Sequence, residues 1–264
     1  MHGGCGDSAV LHRAARAYAA LMHLRAQAII LAVRAHGEHG AIVRAMTREA
    51  GVLPGYVRGG RSRRIKPVLQ PGNRVSGEWR ARTDDHLPQF SAELLESRAP
   101  LFAQSLPAAG IDWVSALTTA ALPEAQPFPM LFDALDGVVS AIEAAPAARG
   151  WAAALARYEL VMLAELGFGL DLARCVVTGA RDDLAWLSPK SGAAVSRAAA
   201  SGHEAKLFAL PPFLASGGEA SWPEILAALR LTGHFVARDL LADARADAAG
   251  ARARLIDRLH RAVA

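Results

Sequence analysis

Five cationic side chains fall within nine residues in the stretch Val57-Arg58-Gly59-Gly60-Arg61-Ser62-Arg63-Arg64-Ile65-Lys66. Guanidinium groups bind phosphate oxygens through paired N–H donors, and a cluster of them releases counterions from a polyanion, giving affinity without sequence preference. The glycines among them let backbone approach a ligand closely. Arg58, Arg61, Arg63, Arg64 and Lys66 are therefore candidate phosphate contacts. Arg74, Arg80 and Arg82 extend the groove wherever they face outward. A solvated basic loop is the competing reading of the same residues. Base-stacking aromatics should accompany a single-strand site, and Tyr56 and Trp79 are the candidates here, although barrel core is the commoner fate of such residues.

A second pattern with chemistry in it lies near the C-terminus. Arg230, His234 and Arg238 recur every four positions, which on a helix places them on one face. Leu231 and Phe235 lie beside that stripe, so cations would adjoin apolar surface. Catalytic signatures are missing from the chain. No Gly-rich phosphate loop ends in Lys-Ser/Thr, and no His-Glu-x-x-His occurs. His36 and His39 flank a turn without obvious partners. The acidic pairs Asp84-Asp85 and Asp182-Asp183 read as turn residues. The chemistry on offer is binding, and no enzymatic activity is expected.

The elements that must position the basic loop read as β. Apolar runs at Ala26–Val33 and Ala41–Met46 are separated by His36-Gly37-Glu38-His39-Gly40. Val52–Val57 follows Gly51 and leads into the loop. Asn73–Arg82 alternates, with Val75, Gly77 and Trp79 opposed by Arg74, Ser76, Glu78 and Arg80, and Phe90–Leu95 supplies a fifth strand. Five short strands with Gly-rich turns in about 70 residues suit a small barrel. A brief helical period at Arg63–Leu69 stops at Pro71-Gly72. Beyond Pro100 the character changes to helical spacing, near 101–120 and 128–144, with breaks expected at Pro107, at Pro123 and between Gln126 and Pro129. Trp151–Leu166 is apolar almost all round, as a central bundle helix is, and Gly167 is placed to cap it. A short hairpin is expected around Trp186–Gly192, and helices at Trp222–Ala242 and Ala251–Ala262.

Composition agrees with a folded binding protein. The chain has 264 residues, of which 52% are hydrophobic. No apolar run reaches the roughly 18 residues that span a bilayer, so a soluble protein without a membrane partner is expected. Two cysteines, Cys5 and Cys175, make no disulfide framework and suit a reducing cytoplasm. Residues 1–100 hold 15 Lys/Arg against 8 Asp/Glu, whereas residues 101–264 hold 14 against 17. That asymmetry points to a polyanion held at one end only. Residues 1–21 read as an upstream extension dispensable for the fold, with a basic arm as the alternative.

Three segments in order carry a family resemblance: Val57-Arg58-Gly59-Gly60-Arg61-Ser62-Arg63-Arg64, then Leu69-Gln70-Pro71-Gly72-Asn73, then Arg157-Tyr158-Glu159-Leu160-Val161-Met162-Leu163-Ala164-Glu165-Leu166-Gly167-Phe168-Gly169. Together they resemble the RecO family over residues 24–262. The resemblance implies an α+β chain: an extension at 1–24, a five-stranded OB-fold DNA-binding domain at 25–97, and an all-helical domain at 98–264 with a small degenerate zinc-finger-like hairpin insert. It implies binding of single- and double-stranded DNA, annealing of complementary strands, and loading of RecA onto DNA coated by single-strand-binding protein. The implied partners are RecR, in many members RecF, and the acidic C-terminal tail of single-strand-binding protein, for which Arg230, His234, Phe235 and Arg238 are the candidate grip. The implied setting is the nucleoid in the cytoplasm.

One departure from the family stands out. Many members carry two C-x-x-C pairs about 18 residues apart in the second domain. Here the matching places read Cys175-Val176-Val177-Thr178 and Ser196-Arg197-Ala198-Ala199, leaving one thiolate of four. No zinc, and no other cofactor, is expected. Two rival readings stand beside the resemblance: an OB-fold RNA-binding or ribosome-associated factor, which would prefer RNA and not anneal strands, and an enzyme with an unrecognised site in the helical part.

Overall fold

A computed structural model describes residues 23–81, 87–144, 148–242 and 246–263. Arg82, the pair Asp84-Asp85 and the proposed extension at 1–21 lie outside the described residues. The chain divides into two compact units, Met1–Asp136 and Gly137–Ala264.

In the first unit, strands β1 (His23–His36), β2 (Gly40–Thr47), β3 (Gly51–Val57), β4 (Arg74–Arg80) and β5 (Gln89–Glu96) close a barrel in the order β1-β2-β3-β5-β4. β1 is longer than its apolar run suggests, because its first half pairs with β4 (His23 opposite Arg80) and its second half with β2 (His36 opposite Gly40). A bulge between Ile30 and Ala32 lets one strand serve both neighbours. Closure comes from a parallel contact of Tyr56 with Gln89, where the Tyr56 N–H donates to the Pro88 carbonyl at 2.8 Å.

Alternation sets what fills the barrel. Val75, Gly77 and Trp79 of β4 face inward, while Arg74, Ser76, Glu78 and Arg80 face outward. Trp79 is fully buried and stacks against Phe90 at 4.5 Å between ring centroids. Two glycines make room for this pair: a Cβ on Gly55 would lie 2.5 Å from Phe90 Cβ, and one on Gly77 would lie 2.7 Å from both rings.

Helix α1 (Ser105–Ala121) packs along β1. The expected interruption at Pro107 does not occur. Pro107 stands in the first turn of α1, where the missing N–H would have had no intrahelical acceptor. Helix α2 (Pro129–Ala144) follows.

The second unit is built on α3 (Ala148–Glu165), whose Trp151, Leu155, Tyr158 and Met162 are buried. Gly167, at φ +88°, ends the helix, and the Phe168 N–H turns back to the Leu163 carbonyl at 2.8 Å. Next comes a three-stranded sheet of β6 (Leu184–Leu187), β7 (Ala194–Ser196) and β8 (Phe208–Ala209) in the order β7-β6-β8. The short helices α4 (Arg197–Ala200) and α5 (Pro212–Ser216) border it. Helix α6 (Trp222–Phe235) packs on α3 and starts with a capping box, the Ser221 N–H donating to Glu224 Oε2 at 2.8 Å. The helix expected to continue to Ala242 instead ends in a wider π turn at Val236–Leu240. Helix α7 (Ala246–Val263) closes the unit and starts before the expected Ala251. No helix among the described residues is long and apolar enough to cross a membrane.

Candidate nucleic-acid interface

The basic loop leaves β3 and returns at β4 as a chain of hydrogen-bonded turns. Gly59, at φ +68°, makes the first reversal, and the Ser62 N–H donates to its carbonyl at 2.9 Å. Ser62 then organises the next turn: its hydroxyl accepts from the Ile65 N–H at 3.3 Å and its carbonyl from the Lys66 N–H at 2.9 Å. The far side is pinned inside the barrel by Leu69, which is buried, with Ile65 and Val68 packed against the same core. Asn73 locks the return. Its buried amide donates to the Pro67 and Val68 carbonyls at 2.8 and 3.1 Å, and its side-chain oxygen accepts from the Arg98 N–H at 2.7 Å. The loop is thus built from the inside, and its cations are left outside.

Arg58, Arg61, Arg63, Arg64 and Lys66 are all exposed, and among the described residues none of them forms an ion pair. Arg61 ties the loop to the β1–β2 turn: its N–H donates to the His39 carbonyl at 3.3 Å and its Nη1 to the Glu38 carbonyl at 3.0 Å. That contact brings exposed Arg34, His36 and His39 to the same end of the barrel as the loop.

The flanking arginines divide. Arg74 is half-buried and faces Asp136 at 3.3 Å and Glu96 at 3.8 Å, so its charge is already answered by two carboxylates. Arg80 is exposed but joins a cluster on Glu78, with Arg80, Arg25 and His23 at 2.8, 3.0 and 2.5 Å from the same oxygen. Hydrogen bonds from His23, then Arg80 and Arg25, hold the Glu78 carboxyl down to about 2. His23 and Arg25 were not among the residues singled out from the sequence. Their signal is the pairing of β1 with β4, which sets Arg25 opposite Glu78. The aromatics also divide: Trp79 is core, whereas Tyr56 faces outward and stays half-buried.

In the second unit, Arg230, His234 and Arg238 are all exposed. His234 Nε2 lies 3.3 Å from the Pro189 carbonyl, and Arg238 Nη1 donates to that carbonyl at 2.8 Å. Arg238 also forms a fork on Asp239, at 2.7 and 2.8 Å. Phe235 requires a correction. It is fully buried, so its ring is a floor beneath the Arg238 guanidinium, 4.7 Å away, and offers no exposed pocket wall. Leu231 is buried likewise. The aromatic that does reach this surface is Phe208 of β8, half-buried, with His234 at 5.1 Å between ring centroids and the Arg230 guanidinium 5.9 Å from its own.

Comparison with known families identifies the chain. The model described as "Recombination protein O N terminal" matches residues 22–98, and that for "Recombination protein O C terminal" matches residues 108–246. This chain belongs to the RecO family. Relatives named DNA repair protein RecO agree across most of its length. One from Cereibacter sphaeroides is 45% identical over 241 residues, covering 91% of this chain and 100% of the relative. One from Rhizobium etli is 45% identical over 88% of this chain and 90% of its own length. One from Chelativorans is 48% identical over 80% and 85%.

Within this RecO-family chain the segment Arg157–Gly169 has a structural task. Glu159 is fully buried on α3 and is held by Arg252 of α7 at 3.1 and 3.2 Å, and by the Thr232 hydroxyl of α6. One carboxylate thereby joins three helices. Gly233 makes room for that guanidinium, since a Cβ there would lie 2.3 Å from Arg252 Cζ. Arg157 faces out and donates to the Gly218 carbonyl at 2.7 Å.

The places that hold zinc ligands in many RecO proteins are Cys175, Thr178, Ser196 and Ala199 here. Cys175 is buried, and its sulfur accepts from the Ser196 N–H at 3.3 Å. Hydrogen bonds from the Ser196 and Thr178 side chains pull the thiol down to about 6. One sulfur, two hydroxyls and a methyl group do not fit a closed zinc site. Hydrogen bonding and the packing of Val195 and Ala200 hold this corner instead.

Proposed function

We propose that this chain binds single- and double-stranded DNA without sequence preference, anneals complementary strands, and helps load RecA onto DNA coated by single-strand-binding protein in the RecF pathway. The observation that carries this reading is the set of five exposed cations on the β3–β4 loop, free of ion pairs among the described residues, on a barrel of the family's N-terminal type. Phosphate contacts need cations whose charge is not already neutralised. Arg58, Arg61, Arg63, Arg64 and Lys66 meet that condition. Arg80 can add to them at the edge of its cluster, and Arg74 is better placed to brace the fold. Arg82 is a further candidate outside the described residues.

Annealing asks only that two strands be held together with their repulsion screened, so no bond is made or broken by the protein. The helical unit would serve partners. Arg230, His234 and Arg238, with Phe208 between the first two, offer cations beside an aromatic ring to the acidic tail of single-strand-binding protein. RecR, with or without RecF, is the partner the family implies, and the nucleoid is the site of action.

The test is annealing of two complementary oligonucleotides, with and without single-strand-binding protein bound to them. The chain should accelerate duplex formation in both cases. No acceleration in either would overturn the annealing role.

A further inference from the structure

The basic end of the barrel carries a tyrosine ring, that of Tyr56, which the core does not use. On β3 the neighbours Gly55 and Val57 are buried and face inward, so Tyr56 faces outward between them. Its ring lies on the hairpin backbone at Gly40, where a Cβ would come within 2.5 Å of both Cε2 and the hydroxyl oxygen. Only glycine leaves space for a ring to lie that low. His36, exposed at the end of β1, meets the Tyr56 ring edge-on, with centroids 6.0 Å apart and planes at 82°. The ring is thus seated and oriented by two neighbours, yet it keeps exposed surface.

Cations surround it. Arg58 is the next outward residue along the chain, about 7 Å further on for extended backbone. Arg34 shares the transverse row Arg34–Ile42–Tyr56 across β1, β2 and β3, two strand spacings or about 10 Å away. Arg61 is tethered to the Glu38 and His39 carbonyls of the same hairpin. An aromatic ring among phosphate-binding groups suits an unpaired base: its π-face can stack while the flanking phosphates meet cations. A duplex keeps its base faces inside its own stack and cannot use such a ring.

We propose that Tyr56, seated on Gly40 and edged by His36, is a stacking platform for an unpaired nucleobase, through which this end of the barrel distinguishes single-stranded from duplex DNA. The proposal rests on the reading above that the basic loop holds DNA phosphates. Duplex binding then depends on the cations alone, and single-strand binding on cations and ring together.

Three labelled probes of equal length separate the contributions in the full chain: an oligothymidylate strand, a strand of the same phosphates with every base removed, and a duplex. The wild type should bind oligothymidylate more tightly than the abasic strand. Tyr56→Ala should weaken oligothymidylate binding about 5- to 150-fold, the effect of losing one stacked base at ~1–3 kcal/mol, and leave the abasic and duplex affinities in place. Tyr56→Phe keeps the ring and should bind as the wild type does, which separates lost stacking from a lost hydroxyl. Gly40→Ala, which displaces the ring, should move affinity in the direction of Tyr56→Ala. Equal binding of the thymidylate and abasic strands by the wild type, or a uniform loss on all three probes in Tyr56→Ala, would overturn the platform while leaving DNA binding intact. A wild type that binds none of the three would overturn the DNA reading itself.

Discussion

Glu159 stands where the periodicity of its helix asks for leucine, and it is fully buried. An isolated carboxylate there would carry a large desolvation cost, so its pairing with Arg252 and Thr232 is a condition of the fold. Removing one partner of a buried pair leaves the other charge uncompensated and costs ~3–5 kcal/mol. Glu159→Ala is therefore expected to lower the melting temperature by roughly 6–20 °C, at ~2–4 °C per kcal/mol for a chain of this size. Thermal unfolding followed by circular dichroism measures this, and a change below about 2 °C would show that the bundle does not depend on the pair. The sequence displays Arg157–Gly169 as a signature but hides this task, because Arg252 lies 93 residues away. Asn73 is similar: its motif is visible, while its role as a buried hub for loop carbonyls requires knowing which carbonyls come near. Tyr56 and Trp79 are a case where alternation sufficed for one residue only. Trp79 follows Val75 and Gly77 on the inward set, whereas the outward direction of Tyr56 becomes clear once Gly55 is seen to make room for Phe90.

At the scale of elements, strands were the more legible half. All five barrel strands are visible as apolar or alternating runs, since a half-buried strand imposes a period of two on its sequence. The ends of β1 were not visible, because its first extra residues pair with β4 and its last with β2, and the bulge that lets one strand serve both depends on a distant partner. Helix ends were less legible. Pro107 is tolerated in a first turn, and α6 yields to a π turn that periodicity alone does not mark. The α6 surface is also where a partner test belongs. A labelled peptide carrying the acidic tail of single-strand-binding protein should bind the wild type at least tenfold more tightly than the Arg230→Ala/Arg238→Ala variant, at ~1.5–3 kcal/mol per charge-assisted contact. Arg238 is already bound to Asp239, so most of the loss is expected from Arg230. Equal binding would place the tail elsewhere on the helical unit.

For the molecule as a whole, charge is the property that sequence and fold express together. The first hundred residues hold 15 Lys/Arg against 8 Asp/Glu, and five of those cations stand exposed on one loop at the end of the barrel, whose apolar residues point inward. Which cations remain available could not be read from the sequence, since Arg74 and Arg80 differ from the loop arginines only in what the fold sets beside them. If the loop cations hold DNA phosphates by counterion release, the salt dependence of single-strand binding must carry their signature. Affinity for a labelled oligothymidylate strand is measured across a salt series for the wild type and for the Arg61→Ala/Arg63→Ala/Arg64→Ala variant. Losing three phosphate contacts should weaken binding at every salt concentration and flatten the log–log slope by about 2, at ~0.7 per contact on a single strand. A triple variant with the affinity and slope of the wild type would mean that these cations do not hold the phosphates.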